Sequence, residues 1–390
     1  MQAPLTDAWP IVEPTLGRSA TPLHSHPSQD LHVIGITGTN GKTTVSYLIG
    51  EVLEAAGHKP FVLGTLNSGN KDLSTPEAVD ISKFMSDHLD QGGTHFVMEV
   101  TSEGIDQGRV LGIDFDIKIL TNITQDHLDY HETFERYEKT KLDFMSEGGG
   151  HKIYPGGFQN TPLDFVPLLL GNFNLLNVKA ASFALRHIGI SENFIRTTLS
   201  TCHAPRGRME SVTRGQPYMV IVDYAHTPDG LENVLRTLKN VASNRKGRLL
   251  ALFGCGGNRD RGKRPLMGKI ASEIADLLVI TDDNPRHEDS QTIRAEILGG
   301  MDPEFRDYVS IQSRKAAIDF IINQSQPNDV VVLAGKGHEA SQITKFENAP
   351  FDDREEAANS ILIRLENESL TSRSLPACGP IDAPSNAESV

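Results

Sequence analysis

The stretch GITGTNGKTT at residues 35–44 decides the fold of this chain. An apolar run at 31–36 leads into it, and a helical pattern from Val45 to Ala56 follows it. A buried strand, a glycine-rich turn and a helix N-terminus together form an anion site, because backbone N–H groups and the helix dipole point at the same position. The stretch therefore predicts a phosphate-binding loop between a strand and a helix.

Individual residues of this loop have the chemistry that a nucleoside triphosphate requires. Lys42 is expected to lie against the outer phosphates, and the Thr43 hydroxyl is expected to ligate Mg²⁺. The pattern is a variant, because G-x-x-x-x-G-K-[ST] needs glycine where Ile36 stands and this chain has its glycine one residue earlier. The alternative, a surface turn with a chance Gly-Lys-Thr, is disfavoured by the flanking strand and helix. The loop residues predicted to bind the nucleotide are Gly38, Thr39, Asn40, Gly41, Lys42, Thr43 and Thr44.

Composition narrows the class of protein. A chain of 390 residues is long enough for two or three domains. Its formal net charge of −14 argues against a general nucleic-acid binder, although a local basic patch could still hold phosphates. Three widely spaced cysteines suit a reducing compartment, no apolar run reaches the roughly 20 residues of a membrane span, and the first 30 residues show no secretory signal. We expect a soluble cytoplasmic protein with neither a nucleic-acid nor a membrane partner.

Strands, polar loops and helices alternate through residues 31–204. Predicted strands end near Leu63, Val100 and Leu120, and a helix is expected to start at Pro76, because proline suits the first helical position. This alternation predicts an α/β domain like a P-loop ATPase, with a parallel sheet whose site lies at the carboxyl ends of the strands. Residues 1–30 are expected to be a short lead-in.

A second alternating block covers residues 205–366. It begins at a predicted hinge, PRGRME at 205–210, and its apolar runs predict five strands with helices between them. That arrangement is typical of a Rossmann-like, doubly wound domain. The remaining residues, 367–390, are polar and acidic and are expected to be a disordered tail.

Two strand ends near the loop carry side chains that could hold a metal. Glu99 closes a strand that should lie beside the loop strand, and His127 follows the next one. A carboxylate and an imidazole near a phosphate loop are plausible Mg²⁺ ligands. Alone, a loop histidine is more often simply solvated or hydrogen-bonded, and Lys141 reads as an ordinary solvated helix lysine.

The second block carries polar segments where its predicted strands end. They are DYAHTP (223–228), GCGGNRDRGKR (254–264), DDNPR (282–286) and GKGHE (335–339). A single basic segment could be ordinary surface charge, but four segments at one sheet edge indicate a binding site. Arginine forks onto carboxylates and glutamate pairs with amines, so the mixture suits a ligand that carries both groups.

Taken together, these strings resemble the Mur ligases, a family of ATP-dependent amide-forming enzymes of peptidoglycan synthesis. The resemblance is strongest to the E type, which makes the tripeptide precursor, and it covers roughly residues 33–360. The matching strings include GITGTNGKTT, MEVTSEG (98–104), TNITQDHLDYH (121–131), YEKTK (137–141), GRME (207–210), VDYAHTPDGLE (222–232), FGCGGNRDRGKRPLMG (253–268), TDDNPR (281–286) and AGKGHE (334–339).

The resemblance implies roles for matching positions. Thr43, Glu99, His127 and Lys141 would hold the metal, with Lys141 carried as a carbamate. The catalytic set would be Lys42, Glu99, His127 and Lys141. Asn122, His226 and Arg208 would line the ATP site. Contacts to the nucleotide-sugar peptide would come from Thr75, Ser102, Gln107 and Arg109, and contacts to the incoming amino acid from Arg259, Asp283, Asn284, Arg286, Gly335 and Glu339.

The reaction implied by the resemblance adds meso-diaminopimelate to UDP-N-acetylmuramoyl-L-Ala-D-Glu through an acyl phosphate, with ATP and Mg²⁺, in a monomer. The DNPR string is the form associated with diaminopimelate, since Arg286 would fork onto a carboxylate that lysine lacks. Such a role would place the chain in cell-wall biogenesis, cell shape and cell division.

Three features depart from the family pattern. About thirty residues precede the loop, where family members carry about a hundred that bind the uridine end; the segment between Lys141 and Gly171 is shorter than usual; and Glu103 stands where the E type has histidine. Two alternatives therefore stay open: a Mur-like ligase acting on another carboxylate, such as a polyglutamate or natural-product precursor, or a non-catalytic nucleotide-binding paralogue.

Overall fold

Two β-sheets organise the protein in its computed structural model, which describes residues 26–68 and 73–374, with side chains up to 370. A short 3₁₀ turn, Pro27–Gln29, precedes the first sheet. Most of the expected lead-in, residues 1–25, lies outside the described residues.

The first sheet has five parallel strands in the order β2-β3-β1-β4-β5. Its strands are β1 (His32–Thr37), β2 (Pro60–Leu63), β3 (His95–Glu99), β4 (Ile117–Leu120) and β5 (His151–Ile153). The helices that belong to it are α1 (Lys42–Ala55), α2 (Ala78–Asp90), α3 (Ser102–Asp106), α4 (Leu128–His131), α5 (Phe134–Ser146), α6 (Pro155–Phe158), α7 (Asn172–Ile188) and α8 (Glu192–Leu199).

The second sheet has six strands in the order β10-β9-β8-β11-β7-β6, all parallel except the antiparallel edge pair β6 and β7. Its strands are β6 (Glu210–Ser211), β7 (Met219–Asp223), β8 (Leu249–Phe253), β9 (Leu277–Ile280), β10 (Tyr308–Ser310) and β11 (Val330–Ala334). The helices are α9 (Pro228–Arg245), α10 (Lys263–Ile274), α11 (Ser290–Leu298), α12 (Arg314–Gln324) and α13 (Asp353–Ser374), and a hairpin of β12 (Ser341–Ile343) and β13 (Asn348–Pro350) precedes α13.

Both sheets are covered on both faces, which explains their near-continuous apolar strands. In β1, Ile34 and Ile36 pack beneath α1 and α7, whereas Val33 faces the opposite core. β11 shows the same alternation, with Val330 and Val332 on one side and Val331 and Leu333 on the other. The helix layers leave the carboxyl ends of the strands open for polar loops.

The predicted α/β class is confirmed, with a parallel first sheet and a second sheet that is parallel apart from its edge strand β6. Glu99 lies opposite Ile36 in the register of β3 and β1. Two expectations were wrong in detail. The helix expected from Pro76 begins at Ala78, because Thr75 is tied to β3 by its hydroxyl and the backbone stays extended through Glu77. The disordered tail expected from residue 367 is helical as far as Ser374, continuing an α13 supported by an Arg364–Glu368 ion pair one turn apart. Residues 375–390 lie outside the described residues.

A buried histidine lies at the amino-terminal edge of the first sheet, away from the predicted site. The His95 ring is 2% exposed and lies near His58 and His32, with ring-centroid distances of 4.7 and 5.0 Å. Burial, reinforced by His58, His32 and His88, lowers the pKa of His95 to about 4. In the unfolded chain this imidazole binds a proton as the pH falls through 6.5, whereas in the folded chain it binds one only as the pH falls to about 4.

We predict that folding stability falls by about 2 kcal/mol between pH 7 and pH 5 through His95 alone. The sign follows from the proton that only the unfolded state binds in this window. Urea unfolding of wild type and His95→Gln at both pH values measures the effect, with the exposed His203→Gln as control. An equal pH dependence in wild type and His95→Gln would contradict the prediction.

Candidate active site

The loop between β1 and α1 has a conformation that only glycine permits at two positions. Gly38 and Gly41 have φ of 141° and 92°. A Cβ on Gly38 would lie 1.9 Å from the Thr121 hydroxyl, and one on Gly41 would lie 2.3 Å from Asn177 Oδ1. The variant glycine, Gly35, is a strand residue, and a Cβ there would meet the Phe115 ring at 2.6 Å. Gly35 therefore serves packing, whereas Gly38 and Gly41 shape the loop.

Two lysines meet at one carbonyl of this loop. Lys42 Nζ donates to Gly38 O at 2.8 Å and Thr39 O at 2.9 Å, and Lys141 Nζ, from α5, donates to the same Gly38 O at 3.1 Å. Burial lowers the pKa of Lys42, against the raising influence of Glu99. Burial, with the charge of Lys42, lowers the pKa of Lys141 to about 7. Lys141 is 1% exposed, so its interpretation as a solvated helix lysine is wrong.

Asn122 holds the loop in place through a pair of hydrogen bonds. Its Oδ1 accepts from Asn40 N at 2.9 Å, and its Nδ2 donates to Asn40 O at 2.9 Å. Thr121 Oγ1 also donates to Asn40 O, at 2.7 Å. On the other side, the Thr39 and Tyr137 hydroxyls are 2.8 Å apart. The structure thus places Asn122 on the loop backbone, where it orders the peptide groups around Asn40.

Oxygen ligands suited to Mg²⁺ gather at the start of α1. Thr65 Oγ1 donates to Glu99 Oε2 at 3.0 Å and lies 3.5 Å from Thr43 Oγ1, so one hydroxyl links the two predicted ligands. Glu99 is 2% exposed and also accepts from Thr65 N at 2.9 Å. A hydroxyl and a buried carboxylate on one face of a phosphate loop match the hard oxygen ligands that Mg²⁺ prefers. The residues present fit this cation.

His127 is held between two carboxylates. Its Nδ1 is 2.7 Å from Glu103 Oε1 and its Nε2 is 3.3 Å from Asp126 Oδ2. Burial would lower the pKa of His127, but Asp126 and Glu103 outweigh it and the pKa is raised. For the two carboxyls, burial is outweighed by the charge of His127, and both pKa values lie well below their usual range.

Among the described residues, no hydrogen bond or ion pair joins His127 to Thr43 or Glu99. Within residues 26–68 and 73–374, no three His, Cys, Asp or Glu side chains converge as a metal-binding group. The role of His127 as a metal ligand stays a prediction, and both of its ring nitrogens face carboxylates in this conformation.

Polar side chains of the second sheet's loops reach across to this site. Arg208 Nη2 donates to Thr43 Oγ1 at 3.1 Å, and its guanidinium lies 4.4 Å from the Tyr224 ring centre. His226 Nε2 and Lys263 Nζ each lie 3.8 Å from the Asp126 carboxylate. Burial, helped by Lys263, lowers the pKa of His226 to about 4.

The hinge turn at Gly207, which precedes β6, packs against the loop that carries Glu339. Gly207 has φ of 70°, and a Cβ there would lie 2.0 Å from His338 N. Only glycine permits that backbone approach. The hinge and the GKGHE loop are therefore in direct contact.

Three of the four residues predicted to contact the acceptor, Thr75, Gln107 and Arg109, are joined by hydrogen bonds beside β3. Arg109 Nη1 donates to Thr75 O at 2.8 Å, and its guanidinium also hydrogen-bonds the Gln107 side chain. Ser102 Oγ donates to Glu103 Oε2 at 3.2 Å. Arg109 and Thr75 are buried, so they fix the segment between β2 and α2.

The residues predicted to bind the amino acid meet at the carboxyl ends of β9 and β11. Asn284 Nδ2 donates to Glu339 Oε2 at 2.8 Å. Gly335 has φ of 109°, and a Cβ there would lie 2.8 Å from Asp283 Oδ2. Lys336 Nζ donates to Asn284 Oδ1 at 2.9 Å. The structure thus brings Asp283, Asn284, Gly335 and Glu339 together around a lysine.

Two arginines flank a glycine next to this group. Arg286 Nη1 donates to Gly257 O at 3.0 Å. A Cβ on Gly256 would lie 2.9 Å from Arg286 Nη1 and 3.7 Å from Arg259 Cγ, so both side chains approach the same backbone turn. Arg259 is about half exposed, and its Nη1 lies 4.0 Å from Asp129 Oδ2 across the seam between the sheets.

Several site residues were missed by sequence reasoning. Thr65, Asp126, Tyr224 and Lys336 contact predicted site residues, and Lys263 lies 3.8 Å from Asp126. Asp126, Tyr224, Lys263 and Lys336 lie inside quoted motifs, but chain position alone does not tell which side chain of a polar segment points inward. The sequence feature that could have pointed to Thr65 as a site residue is its position just after the end of a strand.

Comparison with known proteins places these features in a family. The Mur ligase middle domain matches residues 36–155, and the Mur ligase glutamate ligase domain matches residues 207–337. The UDP-N-acetylmuramoyl-L-alanyl-D-glutamate--2,6-diaminopimelate ligase of Syntrophomonas wolfei is 38% identical, covering 90% of this chain and 82% of that protein. The ligase of the same name from Bacillus cereus is 38% identical, covering 88% and 81%.

Two solved structures are also similar to this chain. A structure of UDP-N-acetylmuramoyl-L-alanyl-D-glutamate--2,6-diaminopimelate ligase superimposes with a TM-score of 0.56 at 32% identity, covering 94% of this chain and 86% of that one. Mycobacterium tuberculosis folylpolyglutamate synthase, complexed with ADP and AMPPCP, gives a TM-score of 0.64 at 15% identity, covering 83% and 92%. The second similarity shows the fold alone.

Proposed function

Because this chain belongs to the Mur ligase family, we propose that it joins meso-diaminopimelate to UDP-N-acetylmuramoyl-L-alanyl-D-glutamate with hydrolysis of ATP to ADP and phosphate. One observation carries the proposal. Two lysines from different helices, Lys42 and Lys141, converge on the Gly38 carbonyl, and Arg208 of the other sheet reaches Thr43 beside them. Lys42 and Arg208 thus place two cations at one glycine loop, which suits a highly charged anion such as a triphosphate.

The reaction that fits this site has two chemical steps. An acceptor carboxylate oxygen attacks the γ-phosphorus of ATP, ADP leaves, and an acyl phosphate forms. The free amine of the amino acid then attacks the acyl carbon, phosphate leaves, and the nitrogen loses a proton as the amide forms. Lys42 and the loop N–H groups would hold the transferring phosphoryl group, and closure of the two sheets would supply the alignment.

Mg²⁺ would be held by Thr43 and Glu99, where it would neutralise charge on the phosphate oxygens. We propose that Lys141 is carbamylated and that His127 completes the metal environment. The buried Lys141 amine supports this, because CO₂ adds only to a neutral amine and a pKa of about 7 leaves about half of it neutral at pH 7.

The amino-acid side would lie at the carboxyl ends of β9 and β11. Arg286 is proposed to fork onto the distal carboxylate of diaminopimelate, and Glu339 to pair with an ammonium group. Thr75, Ser102, Gln107 and Arg109 are proposed to position the acceptor.

We also propose that the protein acts as a cytoplasmic monomer with a domain boundary near residues 204–205. No helix among the described residues combines the length and apolar character needed to cross a bilayer. Sedimentation of the purified protein measures the oligomeric state.

Phosphate release with ATP, Mg²⁺ and the UDP-linked dipeptide acceptor tests the function. We expect turnover with meso-diaminopimelate, and a kcat/KM for L-lysine that is lower by about 100-fold, because lysine leaves Arg286 without a carboxylate. Arg286→Ala should lower kcat/KM for diaminopimelate by about 100-fold and leave the KM for ATP unchanged.

The exposed Arg214→Ala, in the same sheet domain, is the matched control. Turnover with neither amino acid, despite ATP binding, would overturn the proposed function. Full diaminopimelate activity in Arg286→Ala would instead contradict only the assignment of that arginine. Amide formation on a carboxylate other than the UDP-linked dipeptide would favour a ligase for another acceptor.

A further inference from the structure

Lys336 is a fully buried cation that no part of the proposed reaction uses. Its Nζ lies between two side chains of the proposed amino-acid pocket, 2.9 Å from Asn284 Oδ1 and 3.3 Å from Glu339 Oε2. An ammonium group removed from water is retained only where its charge and hydrogen bonds are compensated. Its two partners identify the amino-acid pocket as the place where that charge acts.

The first consequence concerns the orientation of Asn284. Its Oδ1 accepts from Lys336 Nζ and from Ile343 N, each at 2.9 Å, which fills both lone pairs of that oxygen. Its Nδ2 donates one hydrogen to Glu339 Oε2 at 2.8 Å. The hydrogen-bonding capacity left on this amide is a single N–H, so Asn284 can offer a ligand only a donor, as a carboxylate requires.

The second consequence concerns the charge of Glu339. Burial and the neighbouring Asp283 carboxylate both raise the pKa of Glu339, and Lys336 opposes them. The contacts from Lys336 and Asn284 both fall on Oε2, which directs Oε1 toward a ligand ammonium. Lys336 therefore favours the anionic Glu339 that an ammonium group requires.

The surroundings prevent Lys336 from moving away. Arg314, also fully buried, donates to Ala334 O at 2.9 Å and holds Asp353 through two nitrogens at 2.7 and 2.6 Å. This fixes the end of β11 just before Gly335, whose φ of 109° turns the chain toward Asn284. The lysine is thus held in a rigid second layer behind the pocket.

We propose that Lys336 is a positioning residue for amino-acid specificity, which fixes Asn284 as a donor and Glu339 as an anion so that the pocket selects a carboxylate beside an ammonium group. The proposal rests on the proposed function and adds to it a residue that need not touch the substrate. Such a pair of groups occurs at the distal end of diaminopimelate, whereas the distal end of lysine carries the ammonium alone.

The test compares Lys336→Met with Lys336→Arg, using phosphate release and calorimetric binding of diaminopimelate. Lys336→Met should raise the KM for diaminopimelate at least about tenfold, with the KM for ATP unchanged within about twofold. Raising the pH from 7 to 9 should return part of this loss in Lys336→Met, because Glu339 then ionises without its lysine. Lys336→Arg should retain more affinity than Lys336→Met, since it keeps the charge.

The matched control is Lys315→Met, which removes an exposed lysine–glutamate pair from the same domain. The double mutant Lys336→Met/Glu339→Gln controls for misfolding. It removes both charges of the buried pair, so no unpaired charge is left inside the protein. In the Glu339→Gln background Lys336→Met should change the KM for diaminopimelate by no more than about twofold.

The possible outcomes distinguish failure of the Lys336 inference from failure of the proposed function. An active wild type whose KM for diaminopimelate is unchanged by Lys336→Met would overturn the inference alone. If Lys336→Met changed the KM for diaminopimelate and the KM for ATP equally and at every pH, Lys336 would have a general structural role, and the inference would also be overturned. A wild type that neither uses nor binds diaminopimelate would overturn the proposed function and the inference together.

Discussion

Lys42→Met is expected to lower kcat for phosphate release by about 10³. In the structure the Lys42 ammonium is bound by the carbonyls of Gly38 and Thr39, so it is already held within the loop that would receive the phosphates. Methionine keeps the length of the side chain but cannot neutralise charge on the transferring phosphoryl group. Steady-state kinetics with saturating ATP measures the loss.

Lys59→Met is the control for this substitution, because Lys59 is exposed and follows the same helix. It should retain wild-type kinetics. The Lys42 variant should stay folded, since losing its two hydrogen bonds is offset by relief of repulsion with Lys141. A folded Lys42→Met enzyme within tenfold of wild-type kcat would show that the loop lysine does not act on the phosphoryl group.

Lys141→Ala is expected to abolish measurable turnover, with a loss of at least about 10³. Lys141→Arg should be equally inactive, because arginine keeps a cation but cannot form a carbamate. The exposed Lys139→Ala, two residues earlier on the outer face of α5, should remain active. A fully active Lys141→Arg enzyme would rule out the carbamate.

The carbamate itself has a pH signature. With a pKa of about 7, the Lys141 amine is mostly neutral at pH 8 and mostly protonated at pH 6. The ¹³C carbamate signal from labelled bicarbonate should therefore weaken as the pH falls through 7. Lys42→Met should shift that midpoint upward, because the charge of Lys42 helps to depress the pKa of Lys141.

Local patterns were sufficient to predict the strand, loop and helix around Gly38 and Gly41, and the alternation that follows. Hydrophobic periodicity and the placement of glycines are properties of neighbouring residues, so the parallel strands of both sheets could be predicted from the sequence. The position of Glu99 beside the loop strand also followed, since sequential parallel strands place their carboxyl ends at one edge.

Contacts between distant segments could not be predicted this way. Lys141 reaches Gly38 across 103 positions, and Arg208 reaches Thr43 across 165. Asn122 could be assigned to the site by resemblance, but its paired hydrogen bonds to Asn40 depend on how two loops face each other. The burial of Lys141 and Lys336 has the same origin, because each is an ordinary polar helix or loop residue in its local sequence.

The contact between Gly207 and His338 has a consequence for the timing of catalysis. The backbone at Gly207 lies so close to the backbone of His338 that a Cβ does not fit between them. Any rotation of one sheet relative to the other about residue 207 must therefore also displace the backbone next to Glu339. Opening at this turn would therefore disturb the proposed amine-binding end and the proposed phosphate-binding end in one movement. A labile acyl phosphate would then be formed only while a nucleophile is held in place, which would limit its wasteful capture by water.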